Sequence, residues 1–282
     1  DLTDTLASRS RLRRIIVDEL NETARKYGQP RRTELLYAAD IAETVEETQE
    51  IADYPCTFFF TAEGYFKKIT PQSLRMSGEQ KLKDGDHITQ TVEGSNTREL
   101  LFFSDRGNVY KSRASDFADT KASVLGEYIP AKLGFEEGER AVYMTVLSAY
   151  TGYMLFAFEN GKAAKVDMAA YATKTNRRKL VGAYSDKEPL AAMLYLPEDG
   201  EYMFTATSGR RLLVHTGAIS PKTSRTTIGV QVMTVKGRHR LAAVEPFAEG
   251  MAATPNRYRT KTLPAAGAMP AAEDFGEQLT LE

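Results

Sequence analysis

Two short segments concentrate the cations of this 282-residue chain. "TKTNRRKLVG" places Lys174, Arg177, Arg178 and Lys179 ahead of Gly182. "SPKTSRTTIG" carries Lys222 and Arg225 ahead of Gly229, and "VKGRHR" follows with Lys236, Arg238 and Arg240. Ammonium and guanidinium groups interleaved with Ser, Thr and Asn are chemistry for phosphate. The cations displace counterions from a polyanion, and the neutral side chains add hydrogen bonds. Taken singly, either cluster reads as well as a solvated loop balanced by carboxylates elsewhere. Recurrence at one position in two segments favours phosphate. The 37 Lys+Arg nearly cancel 38 Asp+Glu, yet residues 51–170 sum to about −2 and residues 171–240 to about +7. A neutral total hides a basic region.

Other chemistry finds little support. His215 lies in the strand-like "RRLLVHTG", and His87 and His239 sit in polar surroundings without matching Cys or carboxylate spacing. No phosphate-binding loop of the G-x-x-x-x-G-K-[ST] type and no G-x-S-x-G elbow is present. The paired carboxylates of "EEGER" and "EETQE" read as turns and linkers. Phe58, Phe59, Phe60, Phe102 and Phe103 read as core. No catalytic residue and no metal ligand is assigned. The single Cys56 excludes an internal disulfide framework and fits a reducing cytoplasm. No apolar run reaches the roughly 18 residues of a membrane helix, and no signal peptide opens the sequence. The chain begins at Asp1 inside helical sequence, so it is expected to be a fragment of a longer protein.

The elements that must carry the cations are mostly strands. From Ser10 to Pro30 the apolar positions Leu12, Ile15, Ile16 and Leu20, with Thr23, predict one amphipathic helix, capped by Ser8 or Ser10 and stopped by Gly28 and Pro30. An acidic, poorly patterned linker follows. From Pro55 the period becomes alternating. Four segments then share one plan of apolar strand, polar-Gly turn and second strand with a basic residue, turning at Gly64, Gly107, Gly161 and Gly209. In two of them the second strand carries Lys111 with Arg113, and Lys162 with Lys165, four further candidate contacts to phosphate. A second glycine follows each turn about 20 residues on: Gly85, Gly126, Gly182 and Gly229. A lone hairpin cannot bury its apolar face, so four such units predict stacked, propeller-like blades. Equivalent connectors then lie side by side and align their cations into a stripe. Domain bounds are expected at 1–33 for a helical stem, 34–54 for a linker, 55–248 for the blades and 249–282 for a flexible, Ala- and Pro-rich tail.

Several ordered motifs resemble a known family. "DELNETARKYGQPRRTELL", with Lys26, Tyr27, Gly28, Arg31, Arg32, Thr33 and Glu34, followed by "TFFFTAEGYFKKI" with Gly64, Tyr65 and Lys67, is similar to a join in the A subunit of bacterial type IIA topoisomerases, DNA gyrase and topoisomerase IV. "FFSDRGNVYKSRASDF" resembles that family's second-blade hairpin, and "TSGRRLLVHTGAISPKTSRTTIGVQVM" its final blade. The resemblance spans roughly residues 10–248. It implies an all-β pinwheel, a propeller-like disc that exchanges strands between blades and bends double-stranded DNA around a basic rim. It also implies partners in the N-terminal part of the same subunit and in the topoisomerase B subunit. The catalytic tyrosine, and the use of ATP and Mg, belong to other parts of that enzyme; no cofactor is expected in this chain. The region matching gyrase's glycine-rich basic box reads "SGEQKLKDGD". Gln80, Lys81, Lys83 and Gly85 echo the box, while Asp84 and Asp86 oppose it, which leans towards topoisomerase IV. Four blades, where gyrase-like domains usually have six, give a shorter rim. A protein-binding propeller without a nucleic-acid role explains the repeats equally well but leaves the basic connectors as chance.

Overall fold

The computed structural model describes residues 2–29, 51–76, 78–173 and 178–275. It divides into two units, which meet between Glu50 and Ile51. In the first, the expected helix is α2 (Arg9–Tyr27), and a short helix α1 (Leu2–Ala7) precedes it. Ser8 occupies the cap position of α2 in extended conformation, but its hydroxyl bonds that of Ser10 rather than a backbone N–H. The helix ends where the Gly28 N–H donates to the Ala24 carbonyl. Ile15, Ile16 and Leu20 are all exposed along one stripe. Arg31 to Glu34 and most of the expected linker lie outside the described residues.

The second unit is four antiparallel sheets in a propeller arrangement. Strands β1 (Pro55–Thr61), β2 (Tyr65–Ile69) and β3 (Ile88–Ser95) build blade 1, with the short helix α3 (Pro71–Met76) between the last two. Strands β4 (Glu99–Ser104) and β5 (Asn108–Arg113) begin blade 2 as a hairpin. The chain then crosses back, and β6 (Glu127–Tyr128) pairs with β2 of blade 1. Helix α4 (Ile129–Leu133) returns it to β7 (Ala141–Leu147), which closes blade 2. The same course repeats. Strands β8 (Tyr153–Phe158) and β9 (Lys162–Asp167) start blade 3, β10 (Lys179–Val181) pairs with β5 of blade 2, and β11 (Leu190–Leu196) closes blade 3. Strands β12 (Glu201–Ala206) and β13 (Arg211–His215) start blade 4, β14 (Val230–Gln231) pairs with β9 of blade 3, and β15 (Leu241–Pro246) closes blade 4. Each connector between a hairpin and its closing strand therefore supplies the edge strand of the preceding blade.

The second glycines belong to this exchange. A Cβ on Gly126 would sit 2.4 Å from the Phe66 carbonyl oxygen, and one on Gly229 would sit 2.1 Å from that of Ala163. Both glycines have positive φ, 88° and 72°. Only glycine lets the crossing chain turn so close to the backbone it joins.

Burial on both faces explains why the central strands read as nearly unbroken apolar runs. Side chains alternate along a strand. In β4, Leu100 and Phe102 therefore join a cluster with Phe58, Phe60 and Phe66 of blade 1. Leu101 and Phe103 join Phe156, Phe158 and Tyr171 of blade 3. Leu155 and Ala157 of β8 pack in turn on Phe204 and Val244 of blade 4. The cores lie between blades, each fully buried ring contributing on the order of 1.5–3 kcal/mol. The closing strands adjoin along one edge. Gln90 of β3 exchanges two hydrogen bonds with the Met144 backbone of β7, at 2.8 and 2.7 Å, and the Tyr195 N–H of β11 donates to the Tyr143 hydroxyl of β7. The crossing strands β6, β10 and β14 occupy the opposite edge.

The segment after Pro246 departs from the expected loose tail. Tyr258 is buried; the Leu213 N–H donates to its carbonyl, and the Thr260 N–H donates to the Leu213 carbonyl. It was illegible because single bridges hold it rather than a periodic apolar face.

Candidate nucleic-acid interface

The repeat itself accounts for some of the candidate cations. The fourth residue after the turn glycine is lysine in three blades: Lys68, Lys111 and Lys165. The Lys68 ammonium donates to Asn96 Oδ1 at 2.6 Å and to the Ala114 carbonyl at 3.1 Å, and pairs with Asp119. Lys165 donates to the Thr216 carbonyl at 3.2 Å and to Asp199 at 2.5 Å, and lies over the Tyr153 ring. Lys111 donates to Thr173 Oγ1 at 3.1 Å and to the Tyr171 carbonyl at 3.4 Å, over the Tyr150 ring. In each case the carbonyl belongs to the short 3₁₀ turn after the next blade's hairpin: Ala114–Asp116, Met168–Tyr171 or Thr216–Ala218. Asn96, Tyr150 and Asp199 lie in the loops that lead to that blade. These lysines tie each blade to the next. Lys165 is 2% exposed, and burial pulls the Lys111 ammonium below its ordinary range. Both are expected contacts whose ammonium groups are engaged between blades. The equivalent in blade 4, the last blade among the described residues, is Leu213.

Neighbouring Lys67 is also buried, without a carboxylate. It donates to Gln80 Oε1, the Lys81 carbonyl and the Ala122 carbonyl, and burial lowers its pKa. It fastens the segment that echoes the glycine-rich box onto blade 1. The Lys81 N–H donates to the Ala122 carbonyl, so the first and second connectors touch. Lys81 is exposed, whereas Lys83 pairs with Glu63 at 3.6 Å.

The third and fourth connectors also touch. Arg225 Nε donates to the Gly182 carbonyl, Nη1 to that of Ala170 and Nη2 to that of Val181, with its guanidinium 6.0 Å above the Tyr171 ring. Arg225 is therefore a clasp between adjacent connectors, and its charge stays uncompensated by any carboxylate in an ion pair among the described residues. Arg178 and Lys222 are exposed, and no ion pair among the described residues holds either. Both backbones bond the lysine of the adjoining blade: the Arg178 carbonyl accepts the Lys111 N–H, and the Lys222 N–H donates to the Lys165 carbonyl. Lys179 instead pairs with Glu136 at 2.5 Å and lies over Tyr110. Lys162 is half-buried where β14 covers it. Arg113 is exposed. Lys174 and Arg177 lie outside the described residues. Arg178, Lys222 and Arg225 are thus brought together on the edges of blades 2 and 3.

Blade 1 differs. Thr120 holds the place of Lys222, its N–H donating to the Lys68 carbonyl, and Asp116, Asp119 and Glu127 share its connector with Lys121. The basic surface is an arc on part of the rim.

One buried carboxylate stiffens blade 2 beneath this arc. Glu139, 3% exposed, accepts from Ser104 Oγ, Asn108 Nδ2 at 2.8 Å, the Tyr110 hydroxyl at 2.7 Å and the Glu136 N–H at 3.0 Å. Burial alone raises a carboxyl, but these donors outweigh it and bring Glu139 down to about 2. Cys56 is buried, which pushes its thiol up to about 11. Among the described residues no group of three His, Cys, Asp or Glu side chains is arranged to hold a metal.

The model of the DNA gyrase C-terminal domain, a β-propeller, matches residues 98–123 and 221–248. The DNA gyrase A subunit of Mycobacterium bovis is 27% identical over 276 residues, 93% of this chain and 32% of the relative. That of Mycoplasma pneumoniae is 24% identical over 80% of this chain and 27% of its own length. The chain thus spans about a third of the curated relatives it matches. Among solved structures, the C-terminal domain of DNA topoisomerase IV superposes with a TM-score of 0.64 at 18% identity, covering 78% of this chain and 73% of that one. The E. coli ParC C-terminal domain gives 0.58 at 14% identity, covering 78% and 95%.

Proposed function

We propose, for a chain that resembles the C-terminal domain of bacterial type IIA topoisomerase A subunits, that its blades hold and bend double-stranded DNA along the basic arc. The observation that carries this reading is the Arg225 clasp. It sets two basic connectors side by side, and the Arg178 and Lys222 backbones bond Lys111 and Lys165 of successive blades, which supports this reading. Charge at intervals along a curved edge suits a duplex backbone and needs no base sequence. An arc bends DNA less than a full rim. Bending a 20–30 base-pair site by 40–90° costs on the order of 1–6 kcal/mol, which phosphate contacts must supply. The acidic connector on blade 1 and the weak box echo favour bending over tight wrapping, closer to topoisomerase IV than to gyrase.

In the longer protein this domain presents the duplex to a cleavage core made by the N-terminal part of the subunit. The B subunit joins that core, ATP and Mg are used there, and the enzyme works in the cytoplasm. The test is duplex affinity across a salt series. Arg178→Ala with Lys222→Ala lowers affinity and reduces the salt slope by about 2, near 0.9 per phosphate contact. Unchanged affinity and slope refute the reading. Absence of duplex binding by the unmodified chain points to a protein-binding propeller instead.

A further inference from the structure

Among the described residues no further blade lends blade 4 a crossing strand, yet its edge is covered. Leu213, fourth after Gly209, forms a parallel bridge with Arg259, as Lys68, fourth after Gly64, does with Asp119. Arg211 then forms an antiparallel bridge with Ala268, as Phe66 does with Glu127. A 3₁₀ turn precedes both parallel bridges, Pro255–Arg257 here and Ala114–Asp116 there. The glycine matches too. Gly267 has φ of 69°, and a Cβ on it would lie 2.6 Å from the Arg211 carbonyl oxygen, the second residue after the turn. Phe66 and Ala163 meet Gly126 and Gly229 at that same place. Residues 255–268 therefore follow the course of a crossing connector, with no further blade attached to them among the described residues.

At the fourth residue after the turn glycine the bridging residue is Asp119 on blade 1 and Arg259 on blade 4. Arg178 and Lys222 lie beside that level: the Arg178 carbonyl accepts the Lys111 N–H as that of Tyr258 accepts the Leu213 N–H, and the Lys222 N–H donates to the Lys165 carbonyl as that of Thr260 donates to the Leu213 carbonyl. Around Arg259 the sequence "PNRYRTK" adds Arg257 and Lys261, and no Asp or Glu occurs between Glu249 and Glu273. Arg259 is forked onto Glu201, Nε to Oε1 at 2.6 Å and Nη2 to Oε2 at 2.7 Å. Arg257 and Lys261 are exposed and in no ion pair among the described residues. Arg257 Nε donates to the Met269 carbonyl. Two uncompensated cations thus stand one blade beyond Lys222.

We infer that residues 255–268 act as a third basic connector, with Arg257 and Lys261 contacting the phosphates of the duplex and extending its path from blades 2 and 3 onto blade 4. This rests on the proposed binding of DNA to the arc. The test compares two double variants of the full chain, Arg257→Ala/Lys261→Ala and Arg178→Ala/Lys222→Ala, by duplex anisotropy across a salt series and by hydroxyl-radical footprinting. Both sites are exposed, and thermal melting checks that each variant stays folded. The expected result is a salt slope lower by about 2 for each pair, with the footprint of the tail variant shortened at one end. If only the Arg178/Lys222 variant changes slope, the tail connector is not a contact and this inference falls while the arc stands. If neither changes, both fall. If only the tail variant changes, the tail contact stands and the arc of blades 2 and 3 does not.

Discussion

Replacing Lys165 with Met separates the two roles a strand-borne lysine can have. The side chain keeps its length and apolar stem, but the ammonium is lost. Asp199 then loses its 2.5 Å partner and keeps the Thr216 hydroxyl at 2.8 Å. Breaking a fully buried ion pair by removing one member costs on the order of 3–5 kcal/mol. Asp199 is about one-third exposed, 32% by side chain, so water recovers part of its solvation and the expected loss is about 2–3 kcal/mol. For a unit of this size that lowers the melting temperature by roughly 5–10 °C. The assay is denaturant unfolding of Lys165→Met, Asp199→Asn and the double variant, alongside duplex affinity measured well below the melting point. The expected coupling between the two sites is on the order of 1–2 kcal/mol, with the salt slope of binding unchanged. A variant as stable as the parent, with a slope lower by about one, would refute the tie and return Lys165 to the phosphate contacts.

Two further substitutions probe the scaffold. Glu139 has a folded pKa of about 2 against an ordinary 4.5, so its stabilising effect is complete above about pH 4.5 and fades as pH falls through 2. Glu139→Gln is expected to destabilise the protein by about 2 kcal/mol at pH 7, with the deficit shrinking towards pH 2; denaturation midpoints at pH 7, 4 and 2.5 check this, and a constant deficit contradicts it. Gly229→Ala forces a Cβ onto the Ala163 carbonyl, whereas Gly237→Ala, also at positive φ, meets open space. Denaturation is expected to show a loss of roughly 1 kcal/mol for Gly237→Ala and clearly more for Gly229→Ala; equal losses would mean that the crossing strand does not pass so close.

Much of the fold was legible because its determinants are local. Turn glycines at 64, 107, 161 and 209 and alternating apolar strands mark four hairpins, and the resemblance supplied strand exchange. The interface was less legible because sequence displays charge without its destination. Lys111 and Lys222 look alike in a string, yet one is drawn between blades and the other stands in solvent. A usable signal was present: lysine recurs at the fourth position after three turn glycines, a regularity that a solvated phosphate contact does not need and a packed tie does. The tail was missed for the opposite reason. Three single bridges and one close glycine hold "PNRYRTKTLPAAGA", and none of these leaves an apolar period.

The central claim is that a duplex follows the connectors of blades 2 and 3 and avoids the acidic connector of blade 1. Lys222 and Lys121 are both exposed lysines on equivalent connectors, so amine acetylation read by mass spectrometry, with and without a 30 base-pair duplex, compares them within one molecule. The account predicts strong protection of Lys222 and an unchanged rate at Lys121. Protection of Lys121 with Lys222 fully reactive would contradict it.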